Sequence, residues 1–181
     1  MRALRADEIE VRVGQVYNGG VVMLLYKNAR VDMAILDEVY GPMGWQRDHK
    51  EVKGNMYCGI GVYDGPSGQW VWKWDCGTES NTERQKGEAS DSFKRAGTNW
   101  GIGRELYTSP FIWLEVATEP YKDNRGYTRY KLHDPKELNG ISVSRIVSEE
   151  KEGVLTITEL ELMQKRNKKD KGHTVYTWRE K

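Results

Sequence analysis

The chain predicts an α+β fold: an antiparallel β-meander packed against a long helix in a β-β-β-α core, with a short preceding helix and a C-terminal β-hairpin extension. Three observations predict it. Between Trp45 and Cys76, three strand-like runs are separated by the turn signals Gly54-Asn55 and Asp64-Gly65-Pro66-Ser67-Gly68. From Lys86 onward the period changes: Ala89, Phe93, Ala96 and Trp100 recur at spacings of four, three and four, which sets them on one helical stripe. Beyond Ile141, two apolar runs flank Glu152-Gly153 in the manner of a hairpin.

Residues 1 to 10 are polar and are expected to be mobile or to form an oligomer contact. Val11–Val16 and Val21–Tyr26 read as strands joined by Asn18-Gly19-Gly20, a strong hairpin signal. Asn28 is an N-cap, and Val31, Ile35 and Val39 mark one face of a short helix that Gly41-Pro42 ends; Asp32 near its start suits the helix dipole. Trp45–Val52, Met56–Tyr63 and Gln69–Cys76 are the meander, the last with Trp70, Trp72 and Trp74 on one face. Those tryptophans are expected to lie in the core beneath the helix or in a subunit interface, with base stacking as the alternative. The long helix starts at a capping box, Thr82-x-x-Gln85 or Ser80-x-x-Glu83, and stops at Gly101. Gly97 in its interior costs about 1 kcal/mol against Ala, which points to a close approach by another backbone.

Phe111–Val116 is a further strand, Glu119–Gly126 a polar loop, and Tyr127–Leu132 a strand pairing back. Ile141–Ser148 and Val154–Met163 form the hairpin, Lys165–Lys171 a basic loop and His173–Trp178 a last strand. Residues 1–117 are taken as the core and 118–181 as a β-rich extension with a basic tail, the seam falling between Thr118 and Asp134.

At 181 residues the chain can bury about 70% of its unfolded surface without a covalent staple. No apolar run approaches the ~20 residues that span a bilayer. MRALRADEIEVRVG has no apolar signal core, so a cytoplasmic location is expected, that of a bacterial host if phage-encoded. Cys58 and Cys76 lack CxxC spacing and read as free thiols. The net charge is +1, so a nucleic-acid binder must concentrate its cations. It does: Arg84–Arg104 carries five basic residues against Glu88 and Asp91, net +3. Glu149–Glu161 is net −4 and Met163–Lys181 net +5.

His49, His133 and His173 lack metal-ligand spacing, and no P-loop is present. The glycine pairs Gly59-x-Gly61 and Gly101-x-Gly103 lack the third glycine of a dinucleotide loop. Glu88 and Asp91 read as ion-paired with basic neighbours rather than as metal ligands. The chain is therefore read as a binding protein and not an enzyme, without cofactor or metal.

SDSFKRAGTNWGIGRELY resembles the helix that carries the Lys-Arg pair in the Rad fifty-two family of single-strand annealing proteins, with its phage, prophage and bacterial members the nearest in appearance. A second block, Ala29-Arg30-Val31 followed by LDEVYGPMGWQ, is similar to the family's Arg, helix and aromatic-Gly-x-x-Gly-Trp turn. The blocks stand in the family's order, and the likeness spans roughly Val21 to Glu115. The resemblance implies that Arg30, Lys94 and Arg95 sit in a groove that grips a single strand by its phosphates and leaves its bases free to pair. Guanidinium and ammonium groups suit that task. It implies rings or helical filaments of one protein, annealing of complementary DNA strands, and a role in homologous recombination and repair. Eukaryotic relatives carry a further basic residue where Thr98 stands; Lys86 and Arg104 are the candidates to replace it.

The competing reading of Arg95 is an i,i+4 pair with Asp91 on a solvated helix face. Lys165–Lys171 with Arg179 is either a second contact, for duplex DNA or a partner, or solvated surface. A competing function is an oligomeric scaffold that protects DNA ends or loads a recombinase without annealing. A single-strand binding protein or a recombinase is the further candidate partner.

Overall fold

The computed structural model describes residues 1–77, 84–167 and 169–180, the side chains of 84–86 excepted. Its elements run β1 (Glu10–Tyr17), β2 (Gly20–Tyr26), α1 (Ala29–Tyr40), β3 (Trp45–Val52), β4 (Asn55–Asp64), β5 (Gln69–Cys76), α2 (Arg84–Asn99), β6 (Ile112–Glu115), β7 (Thr118–Lys122), β8 (Thr128–Leu132), β9 (Ile141–Lys151), β10 (Val154–Gln164) and β11 (His173–Arg179). The fold is α+β, and every described strand pair is antiparallel. The chain divides into two compact units: Met1–Leu4 with Lys27–Arg104, and Arg5–Tyr26 with Glu105–Lys181.

In the first unit the Asn28 side chain accepts a hydrogen bond from the Arg30 backbone N–H and starts α1. The buried stripe of α1 is Val31, Asp32, Ile35 and Leu36. Val39, expected on that face, is 45% exposed: the stripe turns through a charged residue that apolar periodicity does not count. Strands β3, β4 and β5 form a meander in that order. Its first turn is Lys53-Gly54, one residue earlier than expected, because Val52 pairs with Asn55; both turn residues have positive φ, 54° and 78°.

Helix α2 packs on β4 and β5. It covers the face that presents Cys58, Ile60 and Val62: Trp100 Nε1 donates to the Ile60 carbonyl at 2.9 Å, and Phe93 and Ala96 are buried. The tryptophans lie on the opposite face, which corrects the expectation of a core beneath the helix. Register explains the difference. Trp72 pairs with Gly61 and Trp74 with Gly59, so these side chains alternate away from Ile60 and toward a glycine floor. A Cβ on Gly59 would fall 2.5 Å from the Trp74 ring, and one on Gly61 2.8 Å from the Trp72 ring. The indoles lie flat where a side chain would stand, and they stack on each other with centroids 5.6 Å apart. Cys58 and Cys76 are free thiols, and burial pushes the Cys58 thiol up to about 11.

The start of α2 and its expected capping boxes lie outside the described residues. Its end is a Schellman motif: Gly101 has φ 95°, the Ile102 N–H bonds the Gly97 carbonyl at 3.0 Å, and the Gly101 N–H bonds the Thr98 carbonyl at 2.9 Å.

In the second unit β1, β2 and β6 form one sheet, β7 and β8 a hairpin, and β11, β10 and β9 another sheet in that order. Two turns carry the backbone conformations that their sequences foretell: Gly19 has φ 80°, and Glu152-Gly153 has 51° and 77°. Two expectations are corrected. The segment before β1 is not wholly mobile, since Glu8 and Ile9 are buried. Thr118–Lys122 is a strand within the expected polar loop, since a two-stranded exposed hairpin needs no apolar alternation. The last strand forms as expected: β11 pairs along β10, whose Leu160 and Leu162 are buried, and Arg179 bonds Glu159 at 2.8 Å.

Candidate nucleic-acid interface

Arg30 stands in the first turn of α1, where the Asn28 cap fixes its backbone and leaves its side chain exposed. Among the described residues its guanidinium has no ion-pair or hydrogen-bond partner. A cation left in this state is available to an anion without first breaking a contact.

Lys94 and Arg95 lie in the middle of α2, about 100° apart around the helix axis. Their partners show the two sides they take. Lys94 lies toward α1, close enough for its charge to act on Asp32. Its Nζ is 4.0 Å from Asp91, the outer limit of an ion pair, and its side chain is 28% exposed. Arg95 reaches the other way, to Asp75 on β5, with Nε to Oδ1 at 3.2 Å. The acid it meets is thus twenty residues away on the sheet. Asp75 is itself held: Oδ1 accepts from the Cys76 N–H at 2.8 Å and Oδ2 from Asn99 at 3.2 Å. The Lys94–Asp91 and Arg95–Asp75 contacts are part-exposed, a setting in which ion pairs contribute little, about 0–1 kcal/mol, and exchange readily for a phosphate.

The packing of α1 on α2 brings Arg30's helix to the Lys94 side. They meet at Gly97: a Cβ there would lie 2.3 Å from Asp32 Oδ1. The close approach expected at Gly97 is real, but a carboxylate makes it, not a backbone. Asp32 is fully buried and paired with the buried Lys27. Burial raises the Asp32 carboxyl, and against the pull of Lys27 and a smaller one from Lys94 it stands at about 6. Sequence reading passed over this pair. The signal was there in Gly97, an unfavourable residue at mid-helix, and in Asp32, read only as a dipole partner.

Arg104 is engaged at the end of α2. Arg104 donates from Nε to the Thr98 carbonyl at 2.8 Å and from a terminal nitrogen to the Asn99 carbonyl at 3.0 Å. Lys73 adds a bond to the Asn99 carbonyl at 3.0 Å and sits 4.4 Å from the centre of the Trp100 ring. Two cations thus satisfy the free carbonyls and negative dipole end of α2. The Lys86 side chain lies outside the described residues. Glu88 accepts from the Met56 N–H at 2.8 Å, so this carboxylate anchors the helix to β4.

The Rad52/22 family double-strand break repair protein model matches residues 1–125. The chain belongs to that family. No curated protein and no solved structure matches it. Membership in the Rad52/22 family gives the chain a role in DNA repair and recombination. The matched span includes both α1 and α2, and with them Arg30, Lys94 and Arg95. Among the described residues no helix is long and apolar enough to cross a membrane, and no group of three or more His, Cys, Asp or Glu side chains gathers as a metal site.

Proposed function

We propose that this Rad52/22-family chain binds single-stranded DNA through its phosphates, without regard to sequence, and anneals complementary strands. Arg30 and Lys94 form one wall of the binding groove and Arg95 the other, and the working form is a homo-oligomeric ring or filament in which the groove continues from copy to copy. The observation that carries this reading is the state of the cations. Among the described residues Arg30's guanidinium has no partner and Lys94 meets one acid at 4.0 Å, and α1 packs against α2 at Gly97. Phosphate contacts of this kind read no base edge, so the bases stay free to pair with a second strand.

Arg104 is absent from the proposed contact set because its guanidinium caps α2. Lys86 stays in it on charge and helix position alone.

The test is an annealing assay. The Lys94→Ala/Arg95→Ala chain is mixed with two complementary oligonucleotides and duplex formation is followed. Slow annealing and weak strand binding with an unchanged melting temperature support the site; unaltered binding by a folded variant refutes it. A wild-type chain that binds single strands and forms no duplex would instead indicate a scaffold that protects ends or loads a recombinase.

A further inference from the structure

Asp32 and Gly97 are each poor choices for their own positions. A carboxylate that is fully buried is disfavoured by desolvation, and here its Oδ2 has no hydrogen-bond partner among the described residues. A glycine inside a helix weakens the helix. The two meet at one point, with Asp32 Oδ1 filling the place of the missing side chain. Local choices that contradict their surroundings mark functional requirements more often than stability. A buried ion pair is likewise a weak source of stability, and its best-attested use is to specify one arrangement of packed elements.

The arrangement specified here is that of the proposed groove. Asp32 is two residues from Arg30, and Gly97 is two residues from Arg95 and three from Lys94. Lys27 precedes α1 and bonds the same oxygen, its own methylenes held over Gly103, where a Cβ would lie 2.5 Å from Lys27 Cε. The charged groups that act on Asp32 are Lys27 and Lys94.

We infer that Asp32 is a positioning residue for strand binding: seated against Gly97 and held by Lys27, it fixes the Arg30 end of α1 against the Lys94–Arg95 stretch of α2. This rests on the reading of Arg30 as a phosphate contact. An aliphatic side chain at position 32 would pack the two helices but leave them free to slide, since apolar contact has no preferred register; the carboxylate seated in the glycine notch does not slide. The arrangement matters because a phosphate contact from α1 helps only if it coincides with one from α2.

The experiment is a double-mutant cycle on the full chain, read as affinity for a fluorescein-labelled oligothymidylate at fixed salt and pH. In the wild-type background Arg30→Ala should weaken binding about tenfold, the worth of one charge-assisted contact. Gly97→Ala must push the carboxylate out of its seat while improving the helix propensity of α2. In that background Arg30→Ala should cost less than about threefold, because Arg30 no longer meets the strand in step with α2. A second background, Lys27→Met/Asp32→Leu, removes the pair at nearly constant volume and should behave alike; it supplies the cycle if Gly97→Ala does not fold. An equal cost of Arg30→Ala in all backgrounds would reduce Asp32 to a stabilising residue and overturn the inference while leaving the groove intact. No cost in the wild-type background would overturn the groove, and the inference with it.

Discussion

The middle and the end of α2 use their cations in opposite ways. At the end, Arg104 and Lys73 are bound to the carbonyls of Thr98 and Asn99. In the middle, Lys94 faces an acid 4.0 Å away, and Arg30 on the neighbouring helix has no partner among the described residues. All four count equally toward a net charge of +1. The difference teaches that charge balance is a poor guide to a binding surface. The cations readiest for a ligand are those that hold no backbone carbonyl and at most a part-exposed carboxylate, as Arg95 holds Asp75, because a satisfied donor must surrender a contact before it can make another.

The sharpest way to break this comparison is to remove the uncommitted pair. Arg30→Ala/Lys94→Ala should lower affinity for single-stranded DNA about a hundredfold, roughly 3 kcal/mol. The slope of log affinity against log salt should fall by about 1.4, at ~0.7 per lost single-strand contact. Titration in salt checks both, and a melting temperature close to wild type should accompany them. An unchanged slope would mean that these cations do not meet phosphate.

A second prediction concerns the buried pair. The Asp32 carboxyl is raised in the folded chain, so the folded state takes up a proton more readily than the unfolded state. Its contribution is therefore fully present below the ordinary carboxylate range and is lost as pH rises through about 6. Between pH 7 and pH 5 the wild type should gain about 1.4 kcal/mol of unfolding free energy relative to Lys27→Met/Asp32→Leu, the worth of one pH unit on one group. Glu119, Asp123, Glu159 and Asp170 are lowered and act in the opposite sense, at more acid pH, and taking the difference from the double variant cancels the groups that the two proteins share, the three histidines included. Urea unfolding at the two pH values checks it; parallel behaviour of the two proteins would show that Asp32 is not perturbed.

The end of α2 should respond in the reverse manner. Arg104→Ala should cost about 1 kcal/mol of stability, through two lost carbonyl bonds and a dipole interaction. Its strand affinity should stay within about twofold of wild type, since this guanidinium is not counted among the contacts. Lys73→Ala, which loses one exposed bond and a ring contact, should cost about 0.5 kcal/mol. A loss of binding as large as that of the Arg30 variant in either chain would erase the distinction between the two ends.

Much of the fold is legible in local chemistry. Gly19 and Gly153 announce their turns because glycine accepts positive φ without a steric cost, and the α2 stripe follows from a period of 3.6. The Lys-Arg helix and the Arg30 block are legible as a family resemblance, and the family match covers both. The tryptophan face was misread because alternation along one strand gives two faces and not the covered one. The adjacent strand held the answer: Cys58, Ile60 and Val62 make an aliphatic floor for a helix, while Gly59 and Gly61 leave room for indoles. Arg104's role was hidden because a helix's own carbonyls are acceptors at every sequence. The Arg95–Asp75 and Lys27–Asp32 pairs were hidden because a pair needs two partners, and only the fold supplies the second.

The stacked indoles of Trp72 and Trp74 have an optical consequence. Two chromophores 5.6 Å apart, with planes inclined by 23°, share their excitation, so their circular dichroism differs in shape from that of isolated tryptophans. The meander thus carries a built-in spectroscopic label on the side remote from α2. Loss of that signature while the helical bands persist would report unzipping of β5 from β4, separately from any melting of the cation-bearing helix.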